Sequence, residues 1–381
     1  MTSLDLAREA DWARCGALKD FWYVACLSRE LGTKRPVGRT LLGVPLALYR
    51  DAAGHAQAVR DRCAHRGAAL SEGVVIDGTL CCPYHGWSYG AGGRCLHIPS
   101  LGPGQRGVSA LEENESPLGL KLAPEEVPCL ETFPTHEADG LVFVFLGGDP
   151  ARARRPPFRV PFANDPAWRV YFMVTRFPNG VTNLVENFMD VPHTVFVHRG
   201  WFRTQKRKRV PATVERKNGE VLVTYQQDND RLSGLGLLLN PTGEPMVHTD
   251  HFIVPNVTRV DYLFGKRSGF VIHSQCSPVG AMDSWVYTAI SYRLPLDLPG
   301  NLLARVLEPL VHAYTRQVIT QDVEIMGAQA RGLSRGPWPV VFHNTEADLL
   351  HGDIEAYRRW LVEGAMGPGP ADATRSIEFW I

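Results

Sequence analysis

The sequence predicts an α+β protein, in which a small all-β unit is followed by an antiparallel sheet that carries a few helices. Three observations support this fold class. Residues 21–149 consist of short strand-like runs separated by Gly, Pro and Asp. Further strand-length runs lie between residues 168 and 294, and an amphipathic helical pattern then covers 301–332. The segment 148–158 combines turn formers with basic residues and is the predicted boundary.

The first part of the chain is predicted to be helical only at its start. Thr2-Ser3 stands before a charged amphipathic run, which indicates an N-capped helix over residues 1–20. The unit at 21–149 is predicted to form its strands in FWYVACL, RTLLGVPLALYR, AQAVRDRC, LCCPYHGWSYG and GLVFVFLG.

The second part, residues 150–381, mixes strands and helices. Its strands are expected in WRVYFMVTRFP, VLVTYQQ, HFIVPNVTRVDYLF, GFVIHSQCSPV and SWVYTAISYRL. Residues 180–200 and 353–365 have a helical apolar rhythm, and the long helix over 301–332 is expected to break near Pro309.

Composition excludes several classes of protein. Lys plus Arg and Asp plus Glu both number 40 in 381 residues, so no basic excess points to nucleic acid. No uninterrupted apolar run of about 18 residues predicts a membrane span. No signal peptide is recognised and the eight cysteines have no framework-like spacing, so we expect reduced thiols in the cytoplasm. Cysteines that do cluster are then better interpreted as metal ligands.

One such cluster combines Cys63-x-His65 with Cys82-x-x-His85, and sixteen residues separate the two pairs. Two cysteines and two histidines can hold zinc, although zinc ribbons mostly use Cys-x-x-Cys. The same set can hold a [2Fe–2S] cluster, with the cysteines on one iron and the histidines on the other. Replacing two thiolates by neutral imidazoles raises the reduction potential of such a cluster.

A second candidate site lies in NLVENFMDVPHTVFVHRG. Asp190 and His193 are three residues apart and would share a helical face. His193 and His198 are five apart, so both reach one metal only if the helix ends or is distorted, as Pro192 allows. Taken alone, two such histidines are more often ordinary surface or core residues than metal ligands.

Both motifs resemble one family. CAHRGAALSEG and CCPYHGWSYGAGGRCLHIP are similar to the Rieske domain of Rieske-type non-haem iron oxygenases. The pattern Asn-Phe-Met-Asp-x-x-His-x-x-x-x-His resembles the mononuclear iron motif of the same oxygenases, in its monooxygenase and demethylase form. The resemblance covers nearly the whole chain. It implies an all-β Rieske [2Fe–2S] domain at 21–149 and a helix-grip-like catalytic domain at 150–381.

The resemblance also implies ligands for both metals. Cys63, His65, Cys82 and His85 match the ligands of the Rieske cluster, whereas Cys81 is expected to be a small buried residue on the preceding strand. A non-haem Fe(II) site of this family needs two histidines and one carboxylate, and the candidates for the carboxylate are Asp190 and Asp322, in QDVEIMGAQ. The resemblance implies that the mononuclear Fe(II) of the second domain is bound by His193, His198 and Asp322.

Two further residues, Asp190 and Asn187, are candidates for a catalytic role, the first through the same resemblance and the second from its position one turn before Asp190. Asp190 matches an aspartate that joins a metal-binding histidine to a cluster histidine of the neighbouring subunit, here His193 and His85. That role implies a head-to-tail homotrimer, because the two metals of one chain are too far apart for rapid electron transfer. Asn187 either faces the iron pocket or is a helix-capping or buried amide.

The implied function is that of a terminal oxygenase. Electrons from NAD(P)H and flavin would arrive through a separate reductase or ferredoxin, and O₂ would oxidise a C–H bond of a small organic substrate. The outcome would be hydroxylation, O- or N-demethylation or oxidative cyclisation, and the Asn-Phe-Met-Asp form favours a monooxygenase. The alternatives are the large subunit of a ring-hydroxylating dioxygenase and, outside enzymes, a Rieske electron-transfer protein. The substrate itself is not identified.

Other stretches carry weaker signals. The basic run from Lys206 to Arg209 is either a solvated hairpin or a docking patch for an acidic reductase. The Gly- and Leu-rich segment 231–245 is either a lid over an apolar pocket or a packed loop. Strand residues that could line this pocket, on a face that alternation does not fix, are His251, Phe252, Asn256, His273 and Gln275.

Overall fold

The structure is a computed structural model. It describes residues 18–101, 129–198, 209–226, 239–241, 243–265, 268–295, 301–335, 342–345, 347–348, 350–362 and 369–380. Within these ranges the chain divides into two compact units, one over Lys19–Phe158 and one that contains the described residues from Arg159 onward. Residues 1–17 of the predicted helix at 1–20 lie outside the described residues, and residues 18–20 form a 3₁₀ turn.

The unit over Lys19–Phe158 is built from strands and 3₁₀ turns in its described residues. Three small antiparallel sheets have the orders β1-β11-β10, β2-β3-β4-β9 and β5-β6-β7-β8. The strands are β1 Trp22–Leu27, β2 Val37–Leu41, β3 Val44–Arg50, β4 Ala56–Arg60, β5 Val74–Ile76, β6 Thr79–Cys81, β7 Ser88–Tyr89, β8 Cys95–His97, β9 Thr132–Phe133, β10 Thr135–Ala138 and β11 Leu141–Phe145.

Tight turns set the register of these short strands. Asp77 and Gly78 join β5 to β6 with φ values of 48° and 75°, as a two-residue type I′ hairpin requires. A Cβ at Gly78 would lie 2.0 Å from the backbone nitrogen of Ala52, so only glycine fits there. The core beneath the last sheet includes Tyr49 and Tyr89.

The second unit is one eight-stranded antiparallel sheet with helices, which confirms the predicted fold class. The strand order is β12-β18-β17-β16-β15-β14-β13-β19. The strands are β12 Arg169–Phe177, β13 Arg209–Lys217, β14 Glu220–Tyr225, β15 Met246–Ile253, β16 Val257–Phe264, β17 Ser268–Gly280, β18 Asp283–Arg293 and β19 Ala373–Trp380, and the helices are α1 Val181–Met189, α2 Leu302–Arg335 and α3 His351–Val362.

Three details differ from the sequence expectation. The predicted break at Pro309 is wrong, because α2 continues through it. Pro309 is exposed, so water can satisfy the carbonyl left without an N–H donor, while Ala304 and Val311 pack into the core on the other face. The helical pattern over 180–200 yields only α1 and a 3₁₀ turn, Pro192–Val195. Strands β13 and β19 have no counterpart among the predicted strands, and neither do the short strands β5, β8, β9 and β10. The predicted run HFIVPNVTRVDYLF divides between β15 and β16.

The described part of the chain contains no helix that is both long and apolar enough to cross a membrane.

An ion cluster ties α3 to the edge of the large sheet. Asp353 of α3 is 3 % exposed and accepts hydrogen bonds from Arg216 of β13, at 2.9 Å, and from Arg375 of β19. The Asp353 carboxylate therefore pairs with both guanidinium groups. Its loss should weaken the packing of α3, β13 and β19 together.

We expect Asp353→Asn to lower the free energy of unfolding by about 1–3 kcal/mol, since a buried charge-assisted network loses its acceptor. Both arginines are partly exposed, so solvent screening keeps the effect below that of a fully buried pair. Urea unfolding followed by circular dichroism measures the change. The control is Asp283→Asn at the more exposed Arg176–Asp283 pair, expected within about 0.5 kcal/mol of the unmodified protein. Equal effects of the two substitutions would contradict the prediction.

Candidate metal centres

Two loops with the same backbone pattern bring the first motif together. The N–H of Cys63 donates to the carbonyl of Ala68, and the N–H of Gly67 donates back to Cys63. In the other loop the N–H of Cys82 donates to the carbonyl of Trp87, and that of Gly86 donates back to Cys82. Both glycines have positive φ, 74° and 70°. The pattern holds each cysteine at the closed end of its loop.

The side chains of the motif converge at one end of the unit. Cys63 and Cys82 are buried, and the rings of His65 and His85 have centroids 4.7 Å apart. His65 stacks on Trp87 with an interplanar angle of 4°. His85 is exposed. The set therefore has two buried thiols on one side and two imidazoles on the other.

This arrangement fits a [2Fe–2S] cluster. The Nδ1 atom of His65 is buried and makes no hydrogen bond within the described residues, although a buried imidazole nitrogen normally has a partner. Desolvation, together with neighbouring His85 and Arg66, lowers the pKa of His65 and favours the neutral imidazole that binds metals. A metal ligand role explains why this nitrogen is left open.

Tyr89 contacts one of the thiols. Its hydroxyl lies 3.2 Å from Cys63 Sγ and accepts a hydrogen bond from the N–H of Ala64, also at 3.2 Å. Burial raises the pKa of the Tyr89 phenol, so it stays protonated at all ordinary pH values. A metal-bound Cys63 would be a thiolate and could only accept, so the Tyr89 hydroxyl would then donate its proton to the sulfur.

The remaining cysteines of this unit have other surroundings. Cys81 ends β6, half-buried, with its sulfur 3.2 Å from the hydroxyl of Ser88. Cys95 packs in the core below the loops. The seven described cysteines are all free thiols.

The second motif lies where α1 ends. Asp190 is the C-cap of α1 with extended backbone angles, and Pro192 then opens the 3₁₀ turn. Asp190 and His193 therefore do not share the face of one helix, contrary to the sequence interpretation. The interruption does turn His193 and His198 toward each other, and their Nε2 atoms are 3.2 Å apart. This outcome confirms that five-residue spacing requires a break in the helix.

Asp322 completes the cluster from α2. Its Oδ1 atom lies 3.3 Å from Nε2 of His198 and 3.6 Å from Nε2 of His193. The potential ligand atoms of the three residues all lie within 4.8 Å of one another. Two imidazoles and one carboxylate at this spacing fit the facial ligand set of a non-haem iron.

Neighbouring groups orient the three side chains. Asn187 is buried and donates from Nδ2 to Oδ1 of Asp322 at 3.2 Å, so it contacts the candidate ligand set, although it is not among the residues that line the cavity described below. Nδ1 of His198 lies 3.0 Å from Oε1 of Gln321, and Nδ1 of His193 contacts the backbone carbonyl of Asp190. Both Nδ1 atoms thus have acceptors, so a neutral imidazole that carries its proton on Nδ1 would present the lone pair of Nε2 to a metal ion.

Electrostatics separate the two candidate carboxylates. Burial alone would raise the pKa of Asp322, but hydrogen bonds with His193 and His198 outweigh it and lower the pKa to about 2. Burial opposes protonation of His193, yet Asp322 and Asp190 raise its pKa overall. The side chain of Asp190 is 42 % accessible, and the surrounding protein keeps water away from the rest of its carboxylate. This desolvation raises the pKa of Asp190 to about 6. The Asp190 carboxylate is 3.7 Å from Nδ1 of His193.

An apolar cavity of about 100 Å³ opens beside the three residues. Its walls come from α1, α2 and the central strands of the sheet: Phe177, Phe188, His193, Thr194, His198, Thr258, Val260, Tyr262, Ile272, Ser274, Thr288, Ile290, Thr315, Val318, Ile319 and Asp322. The five strand residues considered from the sequence are absent from this lining.

Sequence reasoning missed several residues around this cavity. Gln321 contacts His198 and immediately precedes Asp322. Its position next to a candidate metal ligand was the sequence signal that could have identified it. A buried network of His248, Asp250 and Tyr225 lies behind the wall: Asp250 accepts from the hydroxyl of Tyr225 at 2.8 Å and lies 3.1 Å from Nε2 of His248. His248 also stacks on Tyr262, which faces the cavity. No spacing rule connects these positions.

Two other expectations concern residues that the structure describes only in part. Lys206, Arg207 and Lys208 lie outside the described residues, and Arg209 pairs with Glu378 at 2.6 Å. Most of the segment 231–245 also lies outside them, so the lid stays a prediction. Glu186 forms an internal pair with His351 at 2.7 Å.

The two units correspond to two known domain families. Residues 21–131 match the Rieske [2Fe-2S] domain, and residues 181–361 match the vanillate O-demethylase oxygenase C-terminal domain. The chain therefore carries a region similar to the Rieske [2Fe-2S] domain, followed by a region similar to the oxygenase C-terminal domain of vanillate O-demethylase. The two groups of candidate metal ligands lie one in each of these regions.

Individual relatives agree with this assignment. The chain is 37 % identical over 207 residues to the dicamba O-demethylase oxygenase component of Stenotrophomonas maltophilia, covering 54 % of each chain. It is 29 % identical over 215 residues to the vanillate O-demethylase oxygenase subunit of Pseudomonas sp. (strain HR199 / DSM 7063), covering 55 % of this chain and 53 % of that one. The matched region spans about half the length of these curated relatives.

The solved structures share the fold. Dicamba monooxygenase bound to 3,6 dichlorosalicylic acid superposes with a TM-score of 0.72 at 23 % identity, over 92 % of this chain and 99 % of that one. Pseudomonas putida CBB5 NdmA with caffeine gives 0.71 at 22 % identity, over 92 % and 93 %.

The Tyr89–Cys63 contact leads to a redox prediction. Hydrogen bonds to ligand sulfurs stabilise the reduced, more negative cluster, so Tyr89→Phe should lower the reduction potential by tens of millivolts. A spectroscopic redox titration of the cluster measures the shift. Tyr84→Phe is the control, since Tyr84 is exposed beside His85 and no contact joins its hydroxyl to a thiol among the described residues. An unchanged potential in Tyr89→Phe would show that its proton does not act on the sulfur.

Proposed function

We propose that this chain is the terminal oxygenase of a multicomponent system that oxidises a C–H bond of a small organic substrate. The observation that carries the proposal is the convergence of His193, His198 and Asp322 on the wall of an apolar cavity, in a chain that also has a Rieske domain. The names of the O-demethylase and monooxygenase relatives support it. A separate reductase or ferredoxin would supply the electrons.

We assign Cys63, His65, Cys82 and His85 to the cluster, and the mononuclear iron to His193, His198 and Asp322. When bound, these groups would supply one-electron transfer and the reduction of O₂ beside the substrate. In the overall reaction, one O₂, two electrons and two protons convert a C–H bond to C–OH and release one water. Demethylation follows when the new hydroxyl lies on a methyl group attached to oxygen or nitrogen.

The chain's own residues prepare this site by orientation. Gln321 and the carbonyl of Asp190 hold the two imidazoles with Nε2 directed inward. Asn187 holds the Asp322 carboxylate and acts as a positioning residue. Apolar side chains such as Phe177 and Ile290 exclude water from the space where the substrate would lie.

We further propose that Asp190 connects two chains of a homotrimer. Its carboxylate is 42 % accessible beside His193, and His85 is exposed on the Rieske unit. The Asp190 carboxylate of one chain could therefore accept a hydrogen bond from the His85 imidazole of the next, and so hold the two sites together.

The free thiols are consistent with a reducing, cytoplasmic compartment.

Iron analysis with turnover tests the main proposal. The intact protein should contain about three irons per chain, two in the cluster and one mononuclear. His193→Ala should retain about two irons and the cluster spectrum, and lose substrate-dependent O₂ consumption. The control, His251→Ala, changes a histidine of the same unit that lies off the cavity, and should keep both. Two irons in the intact protein would favour an electron carrier, and full turnover by His193→Ala would contradict the iron assignment.

Asp190→Asn tests the link between chains. Both metals should stay bound, while single-turnover oxidation of the reduced cluster slows about 10- to 100-fold, because an orienting contact of the metal-binding histidine is altered. The control is Asp283→Asn, which neutralises a carboxylate that pairs with Arg176 away from Asp190 and from the cavity, and it should leave the rate unchanged. Loss of the mononuclear iron from Asp190→Asn would instead assign Asp190 as a ligand.

A further inference from the structure

A stack of three aromatic rings lies behind one wall of the cavity. Tyr225 of β14, His248 of β15 and Tyr262 of β16 occupy directly paired positions, Tyr225 with His248 and His248 with Tyr262. The ring centroids of Tyr225 and His248 are 4.3 Å apart at an interplanar angle of 20°, and those of His248 and Tyr262 are 4.4 Å apart at 18°. We call these three residues the aromatic stack. Its last member, Tyr262, lines the cavity.

The strand register places the aromatic stack on the cavity side of the sheet. Side chains alternate between the two faces along a strand, and directly paired residues share a face. Val260 and Tyr262, two residues apart on β16, both line the cavity. Asp250 is paired with Val260, as His248 is with Tyr262, so both residues of β15 point to that same side. The ring of His248 therefore blocks movement of the Tyr262 ring toward β15.

A buried carboxylate fixes the orientation of the aromatic stack. Asp250 is 2 % exposed, and the His248 side chain is fully buried. One oxygen of Asp250 accepts a hydrogen bond from the Tyr225 hydroxyl at 2.8 Å, and the other lies 3.1 Å from Nε2 of His248. Neither ring can tilt without weakening a buried hydrogen bond, which is costly away from water.

We propose that His248 and Asp250 are positioning residues, which hold the ring of Tyr262 in the cavity wall and so limit the size of the molecule that the cavity accepts. This inference rests on the proposed function, because it treats the cavity as the substrate site. His248 and Asp250 are not among the described residues that line the cavity, so they act through Tyr262. A close-packed ring resists displacement, whereas a void behind it lets it move away.

Isothermal titration calorimetry on the iron-loaded protein, without O₂ or reductant, tests the inference with benzyl alcohol and 1-naphthalenemethanol. The two uncharged probes differ by one fused ring, and the ratio of their Kd values is the quantity compared between variants. His248→Ala removes the ring behind Tyr262, so the ratio should change at least about tenfold in favour of the larger probe, because its second ring can then be buried.

His248→Phe is the matched variant. It loses the same contact with Asp250 but retains a ring in the aromatic stack, and should keep the ratio within about threefold of that of the unmodified protein. Equal changes in His248→Ala and His248→Phe would overturn the proposal, and so would failure of both probes to bind to the unmodified protein. The control is His251→Ala, on the same strand but off the cavity, which should leave the ratio unchanged.

Two further variants test whether the effect passes through Tyr262. In a Tyr262→Ala background the wall ring is already missing, so adding His248→Ala should change the ratio by less than about twofold. An undiminished change there would overturn the proposal. Asp250→Asn preserves side-chain volume and should change the ratio about 2- to 5-fold in the same direction as His248→Ala. This variant decides the question if His248→Ala does not fold, since an unchanged ratio would contradict the role of the carboxylate.

The two proposals fail in different ways. Binding is measured in the absence of O₂ and electrons, so absent turnover contradicts the proposed function but leaves the ratio of the two Kd values as it is. Conversely, an unchanged ratio in His248→Ala contradicts the positioning role, while the iron count and the effect of His193→Ala stand.

Discussion

The catalytic unit depends on one constraint: two imidazoles five residues apart must point at the same carboxylate. A continuous helix cannot satisfy it, because five residues turn a helix well beyond one revolution. The chain meets the constraint by ending α1 at Met189 and passing through an extended Asp190 into a short 3₁₀ turn. The carboxylate then comes from α2, where Oδ1 of Asp322 lies 3.3 Å from Nε2 of His198 and 3.6 Å from Nε2 of His193.

The Rieske unit solves an equivalent problem with loops. Its four donors come from two turns that share one hydrogen-bonding pattern, each closed by a glycine with positive φ. The pattern buries the thiols and leaves the imidazoles toward the outside, with His65 stacked on Trp87 and His85 exposed. Burial and exposure are thus divided between the two ligand types. Such a division suits a cluster that is insulated on its sulfur side and accessible on its histidine side.

Local patterns in the sequence predicted much of this architecture. Strand-length apolar runs and turn residues predicted most strands, and the motif spacing singled out the histidines. Asp322 required the family resemblance, because one carboxylate on a helix carries no spacing signal. The alignment of Thr258, Ser274 and Thr288 across three neighbouring strands could not be predicted, since cross-strand register depends on the pairing of distant segments. The unbroken helix at Pro309 was missed because exposure, which makes the proline tolerable, is a tertiary property.

The continuity of α2 also fixes a length. Thr315 and Asp322 lie on this one helix, seven residues apart, and both line the cavity. At about 1.5 Å of rise per residue the interval is about 10 Å. The rise of the helix therefore fixes how far the carboxylate of Asp322, a candidate metal ligand, lies from Thr315 along the cavity wall. This spacing is set by backbone geometry rather than by side-chain size.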